Sequence, residues 1–317
     1  MSTAESVPRT WHELEGDEAL ETLRRCGRRR LVIDAIARFR AADGFSHARA
    51  LAFQATLTLL PALIALVGLA AALDQDQSGL RRVLQETVEA IAPGSIGALL
   101  TDALRQGSSS AARESGETAL VAGLAAALLA GTSAMAQVER GANRIYGVEQ
   151  DRPFVRRYLA ALGLAVTAGA LVLLALAALV GGAAIRDAAG WDEGFDTAWA
   201  IARWPVGLTC TVAAIALLFE LAPNRRQPEP SWLAFGSGAA AALWVAFMVL
   251  LIAYIEATGT FGSTYGSLAG TIGVLLWTFG SSCALFGGLA LAAQLEAVRA
   301  GVPGPKLDRP ANTPAGG

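Results

Sequence analysis

The sequence predicts an all-α polytopic membrane protein with six transmembrane helices and both termini in the cytoplasm. Three observations carry this. The chain is 54% hydrophobic and 16% charged over 317 residues, whereas soluble domains carry about 25% charged residues. Its apolar residues gather in six long runs, of which 267–293 covers 27 residues, enough for one tilted helix across a bilayer. With the N-terminus inside, 19 of the 25 arginines and lysines fall in cytoplasmic segments and 12 carboxylates in the outer ones, as the positive-inside rule requires.

Residues 1–17 are polar and are expected to be disordered. From Glu18 to Phe45, Leu20, Leu23, Leu31, Ile36 and Phe39 recur at helical spacing among Arg24, Arg25, Arg28, Arg29, Arg30, Arg38 and Arg40. That pattern predicts a juxtamembrane amphipathic helix on the inner leaflet, with the bilayer and its anionic lipids as partners. Nucleic acid is excluded as a partner, because no aromatic platform or recognised motif accompanies the arginines.

The first span, 50–73, carries Pro61 near its middle. Proline frees the carbonyl four residues back; Thr56 and Thr58 are placed to re-satisfy it, and Gln54 adds an amide. Pro61 is therefore a candidate hinge. In the long loop 74–116, Leu80, Val83, Leu84, Val88 and Ile91 precede a Pro93-Gly94 break, and Ile96, Leu99, Leu100 and Leu104 follow it. Two outer amphipathic helices between the first and second spans are expected there.

The remaining spans are 118–138, 159–185, 198–221, 232–255 and 267–293. Arginines 140, 144, 152, 156 and 157 separate the second from the third, and Asp187, Asp192, Glu193 and Asp196 separate the third from the fourth. Gly259, Gly262 and Gly266 surround Ser263, Thr264 and Tyr265 before the sixth, which is loop and helix-cap chemistry. Gly266 and Gly270 stand four apart, as do Gly280 and Ala284. This spacing lets another helix approach closely and is compatible with a homo-oligomer. One membrane domain thus covers 18–299, with a disordered Pro/Gly-rich tail at 300–317.

Several classes are set aside. Cys26, Cys210 and Cys283 show no CxxC or Cys/His spacing, so no disulfide framework, metal or cofactor is expected. The first 30 residues lack the apolar core of a signal peptide. Glu139, Asn143 and Arg144 read as a solvated helix end with local pairing, and no catalytic residue is expected. Within the spans, Gln54, Thr56, Thr58, Gln137, Thr278 and Gln294 are costly in hydrocarbon and form a candidate polar pathway facing the bundle interior. Transport or lipid handling is the function this implies; a non-transporting scaffold recruiting partners through the basic helix is the alternative.

Four segments also carry a family likeness: ARALAFQATLTLLPALI at the first span, GANRIYGV with Asn143, Arg144 and Gly147, LAPNRR with Pro223, Asn224 and Arg225, and TYGSLAG with Thr264, Tyr265 and Gly266. Across roughly Ile36 to Arg299 the chain resembles the YihY/BrkB family of bacterial inner-membrane proteins. The resemblance implies six spans, a place in the cytoplasmic membrane and a role in transport or envelope maintenance. Two positions depart from the family pattern. Phe53-Gln54 replace a tyrosine pair, and Ala293-Gln294-Leu295-Glu296 replace an Ala-Glu-Leu-Asn run. Members have been labelled ribonucleases, but with His12 and His47 as the sole histidines the chain lacks the clustered His/Asp ligands of a metal-dependent nuclease.

Overall fold

The computed structural model describes residues 4–8, 16–73, 116–180, 193–258, 269–302 and 304–305. Among these, the regular structure is helical. Two short helices, α1 (Gly16–Cys26) and α2 (Arg28–Ala41), precede six long ones: α3 (Gly44–Leu73), α4 (Gly116–Tyr146), α5 (Phe154–Val180), α6 (Glu193–Leu221), α7 (Pro230–Thr258) and α8 (Ala269–Arg299). Each long helix coincides with one predicted span. The reason is physical: lipid offers no hydrogen bonds to backbone groups, so an apolar run must satisfy them within its own helix. Pro230 sits in the first turn of α7, where its missing N–H costs nothing.

Five helices, α4 to α8, are long and apolar enough to cross a membrane among the described residues. α3, the predicted first span, is a helix of 30 residues. The predicted outer amphipathic helices, the carboxylates at 187 and 192, and Thr264, Tyr265 and Gly266 lie outside the described residues.

The six long helices close into a ring. Each packs on its chain neighbour, and α8 returns to α3 and also touches α4. Among α4 to α8, α8 is the most enclosed, with 50% of its span buried against 11% in α7. The α7–α8 seam is close because glycine carries no side chain. A Cβ on Gly288 would lie 2.6 Å from the Gly236 carbonyl oxygen, and one on Gly236 would lie 2.6 Å from Ala292 Cβ.

The single basic amphipathic helix expected over 18–45 is instead two. Gly27 breaks it with φ 81°, and both pieces pack against the C-terminal end of α8. α1 is tied there by Gly16 N–H donating to Ser231 Oγ at 3.2 Å and by an ion pair of Glu18 with Arg299 at 3.5 Å. α2 buries Leu31, Ala35, Arg38 and Phe39 and exposes Val32, Ile33 and Ile36. Residues 4–8, inside the stretch expected to be disordered, are held in an extended run with Ala4 and Val7 buried.

Candidate functional site

The arginine-rich ends of α2, α4, α6 and α8 meet in a buried polar cluster. Arg38 lies on the apolar stripe of α2 with Leu31 and Ala35, so packing carries its guanidinium inward until it is 0% exposed. Its Nε donates to Gln294 Oε1 at 2.8 Å. Its Nη1 donates to the carbonyls of Glu5 at 2.8 Å and Ile145 at 3.1 Å. Burial pushes its pKa down to about 10, so it stays charged at neutral pH.

Arg225 is the second buried cation. Its Nη2 meets Glu296 Oε1 at 2.6 Å with 1% and 0% of the two side chains exposed, and its guanidinium stacks 4.7 Å over the Tyr146 ring. The two side chains that depart from the family run, Gln294 and Glu296, thus each serve one buried arginine.

Beside them, Asn143 ties two turns together. Its Nδ2 donates to Asp151 Oδ1 at 2.8 Å, and its Oδ1 accepts the Asn224 backbone N–H at 2.7 Å. Asn224 Nδ2 in turn donates to the Gln150 carbonyl at 2.9 Å. Arg152 caps the C-terminus of α6, donating to the carbonyls of Leu221, Ala222 and Pro223 at 2.9, 3.0 and 3.1 Å. Those are carbonyls a helix end leaves without partners. Arg152 also pairs with the fully buried Glu139 at 3.1 Å. The expected solvated helix end with local pairing is therefore corrected. Glu139 and Asn143 are buried, and their partners lie 13 and 81 residues away for Arg152 and Asn224. The Arg144 carbonyl accepts from Ala4 and Gly147 N–H groups, each at 3.3 Å.

The candidate pathway residues fall in separate places. Thr56 and Thr278 hydroxyls meet at 3.1 Å across the α3–α8 contact. Gln137 Nε2 lies 3.0 Å from His47 Nδ1, while Gln294 holds Arg38. Gln54 and Pro61 are half-buried within α3, and Gly270 is buried in α8. Thr56 and Thr58 do not reach the carbonyl that Pro61 frees. Their hydroxyls turn back to Ala52 and Gln54 carbonyls at 2.9 and 2.8 Å, the usual bond of a helical threonine.

In the sequence Arg38 reads as one of the surface arginines, Arg152 as one of the basic residues between two spans and Tyr146 as part of the GANRIYGV segment, none of them as a member of a buried cluster. The signal for Arg38 was its spacing from Leu31 and Ala35, an arginine at an apolar register of α2. For Arg152 no local signal exists, since its carbonyl partners lie about 70 residues away.

Among the described residues, a ring of long apolar helices, five of them long enough to cross a bilayer, marks a polytopic membrane protein. The chain belongs to the family described as Virulence factor BrkB, whose model matches residues 35–312. It is similar to the ribonuclease-like protein YfkH of Bacillus subtilis (strain 168), 27% identical over 246 residues, 76% of this chain and 86% of the relative. No solved structure matches it.

Proposed function

We propose that the chain is a six-span protein of the bacterial cytoplasmic (inner) membrane, both termini inside, that transports or handles a lipid-class or small solute in envelope maintenance. The observation that carries this reading is the sorting of charge. In the sequence 19 of the 25 basic residues fall on the proposed inner side, and Arg38, Arg152 and Arg225 join α2, the end of α4, the 222–229 turn and the end of α8 there. Such an end belongs in the cytoplasm by the positive-inside rule. Polar side chains that meet between helices, such as Thr56 with Thr278 and Trp244 Nε1 with Ser281 Oγ at 3.0 Å, supply contacts that a moving bundle can exchange.

YfkH is named ribonuclease-like, but we read this chain as non-enzymatic. Support comes from the ligand inventory that such chemistry needs. The sequence offers His12 and His47 as its only histidines, both N-terminal and without an HxHxD-type spacing to further ligands.

The scaffold reading is favoured by one observation: α2 exposes Val32, Ile33 and Ile36 beside Arg28, Arg29 and Arg40. We assign that face to anionic lipid, since apolar side chains bury in the acyl boundary while arginines meet headgroups. Reconstitution in liposomes separates the readings. Transport predicts movement of fluorescent lipid probes or small solutes above protein-free vesicles, with loss in Thr278→Val. Silence with all of them, together with partner capture that disappears in Ile33→Ser/Ile36→Ser, would favour the scaffold.

A further inference from the structure

Residues 4–8 cross the arginine-rich end as an extended strap. Ala4 N–H donates to the Arg144 carbonyl at 3.3 Å, Val7 N–H to the Tyr146 carbonyl at 3.1 Å, and Glu5 N–H to the Pro305 carbonyl at 3.3 Å. Arg38 and Arg225 both reach this strap. Arg38 takes the Glu5 carbonyl at 2.8 Å, while Arg225 takes those of Val7 and Pro8 at 3.4 and 3.3 Å. The strap also brings a carboxylate, because the Glu5 side chain is close enough to favour the charged form of Arg38.

The donor inventory is lopsided. Two guanidiniums present about ten N–H donors. Arg38 Nη2 is buried without an acceptor, and Arg225 holds its two strap carbonyls at the long limit of a hydrogen bond. Beneath the strap one fully buried carboxylate, Glu296, faces both cations. A segment offering oxygen acceptors and one negative charge to two arginine forks copies the chemistry of a bound oxyanion.

We propose that residues 4–8 are an internal stand-in for an anionic ligand, and that Arg38 and Arg225 form a site for a phosphate-class group that the strap occludes. The group is either free phosphate or the phosphate of a lipid headgroup. Gln294 and Ile145 orient one guanidinium, Glu296 and the Tyr146 ring the other, so both forks stay in place when the strap lifts. This site goes beyond the membrane role above and does not require transport.

Gly147 is what lets the strap lie down. Its φ is +70°, and a Cβ there would sit 2.5 Å from Ser6 Cα and 2.7 Å from Ser6 N. Gly147→Ala therefore lifts the strap and leaves both arginines intact. Glu5→Gln removes only the strap's charge.

The test uses the full chain in nanodiscs, with Cys26, Cys210 and Cys283 replaced by alanine and a reporter at Ala4→Cys, a position 1% exposed in the closed strap. Maleimide labelling is timed with inorganic phosphate in phosphatidylcholine discs, and separately in discs containing phosphatidate. We expect one probe to raise the rate roughly tenfold, with Glu5→Gln responding at lower concentration and Arg38→Gln not responding. A response to phosphate identifies the free anion, and a response to phosphatidate alone identifies the headgroup. Since Arg38→Gln empties a buried position and can unfold the chain, Gly147→Ala supplies the second readout. Its melting temperature should rise with the effective probe more than that of the parent chain. Labelling unmoved by both probes, together with no stabilisation of Gly147→Ala by either, overturns the proposal.

Discussion

Arg225 and Glu296 meet with 1% and 0% of their side chains exposed, so neither can fall back on water when the other is removed. Arg225→Ala or Glu296→Ala should cost about 3–5 kcal/mol, read as a fall in melting temperature in detergent. The double variant Arg225→Met/Glu296→Met should recover most of that loss. Single losses that simply add would mean that the two groups are not coupled. His47 gives a pH prediction at the same scale. Gln137 Nε2–H donates to its Nδ1, so the ring is held neutral. Burial first, then Arg144, lowers its pKa from the ordinary 6.5; Arg140 acts the same way, and Asp43 and Asp151 oppose it. A depressed histidine contributes stability above its unfolded value and loses it as pH falls from there through the folded one. Melting temperature should therefore decline as pH drops below 6.5, and less so in His47→Asn. An equal decline in both would assign the effect to other groups.

Helix α8 shows how an element is fixed by its small residues. Gly280, Ala284, Gly288 and Ala292 recur every four residues, and the Phe247 ring occupies the space above Gly280. Without a hydrophobic driving force between helices in lipid, such close approach supplies the packing energy. Gly236→Leu on α7 should split the α7–α8 seam and broaden the size-exclusion profile. Gly238→Leu, two residues on, has nothing within 4 Å of its Cβ and should leave the profile unchanged. Equal behaviour of the two would remove the seam's role. The long helices are legible in the sequence because a run of apolar residues has one backbone solution in lipid. Gly280 and Ala284 stand out by their spacing of four, whereas Gly236 and Gly238 stand two apart and nothing local says which of them meets a partner. α1 and α2 read as one helix because Gly27 interrupts periodicity for one residue only.

At the scale of the whole molecule, the motif segments around Asn143 and Asn224 were legible as segments but not as one site. The bonds that join them span 81 residues, and Arg38 reaches Gln294 across 256. No local pattern encodes a partner at that distance. The orientation expected from the sequence rests instead on charge counted over whole loops, a count that needs no partner to be identified. The positive-inside rule assigns this arginine-rich end to the cytoplasm. A cysteine-free chain carrying Glu229→Cys, Thr197→Cys or Glu256→Cys, each at an exposed position, is treated in intact spheroplasts with a membrane-impermeant maleimide. We expect labelling at positions 197 and 256, with position 229 labelled only after lysis. Labelling at position 229 in intact spheroplasts, with 197 and 256 protected, would contradict it.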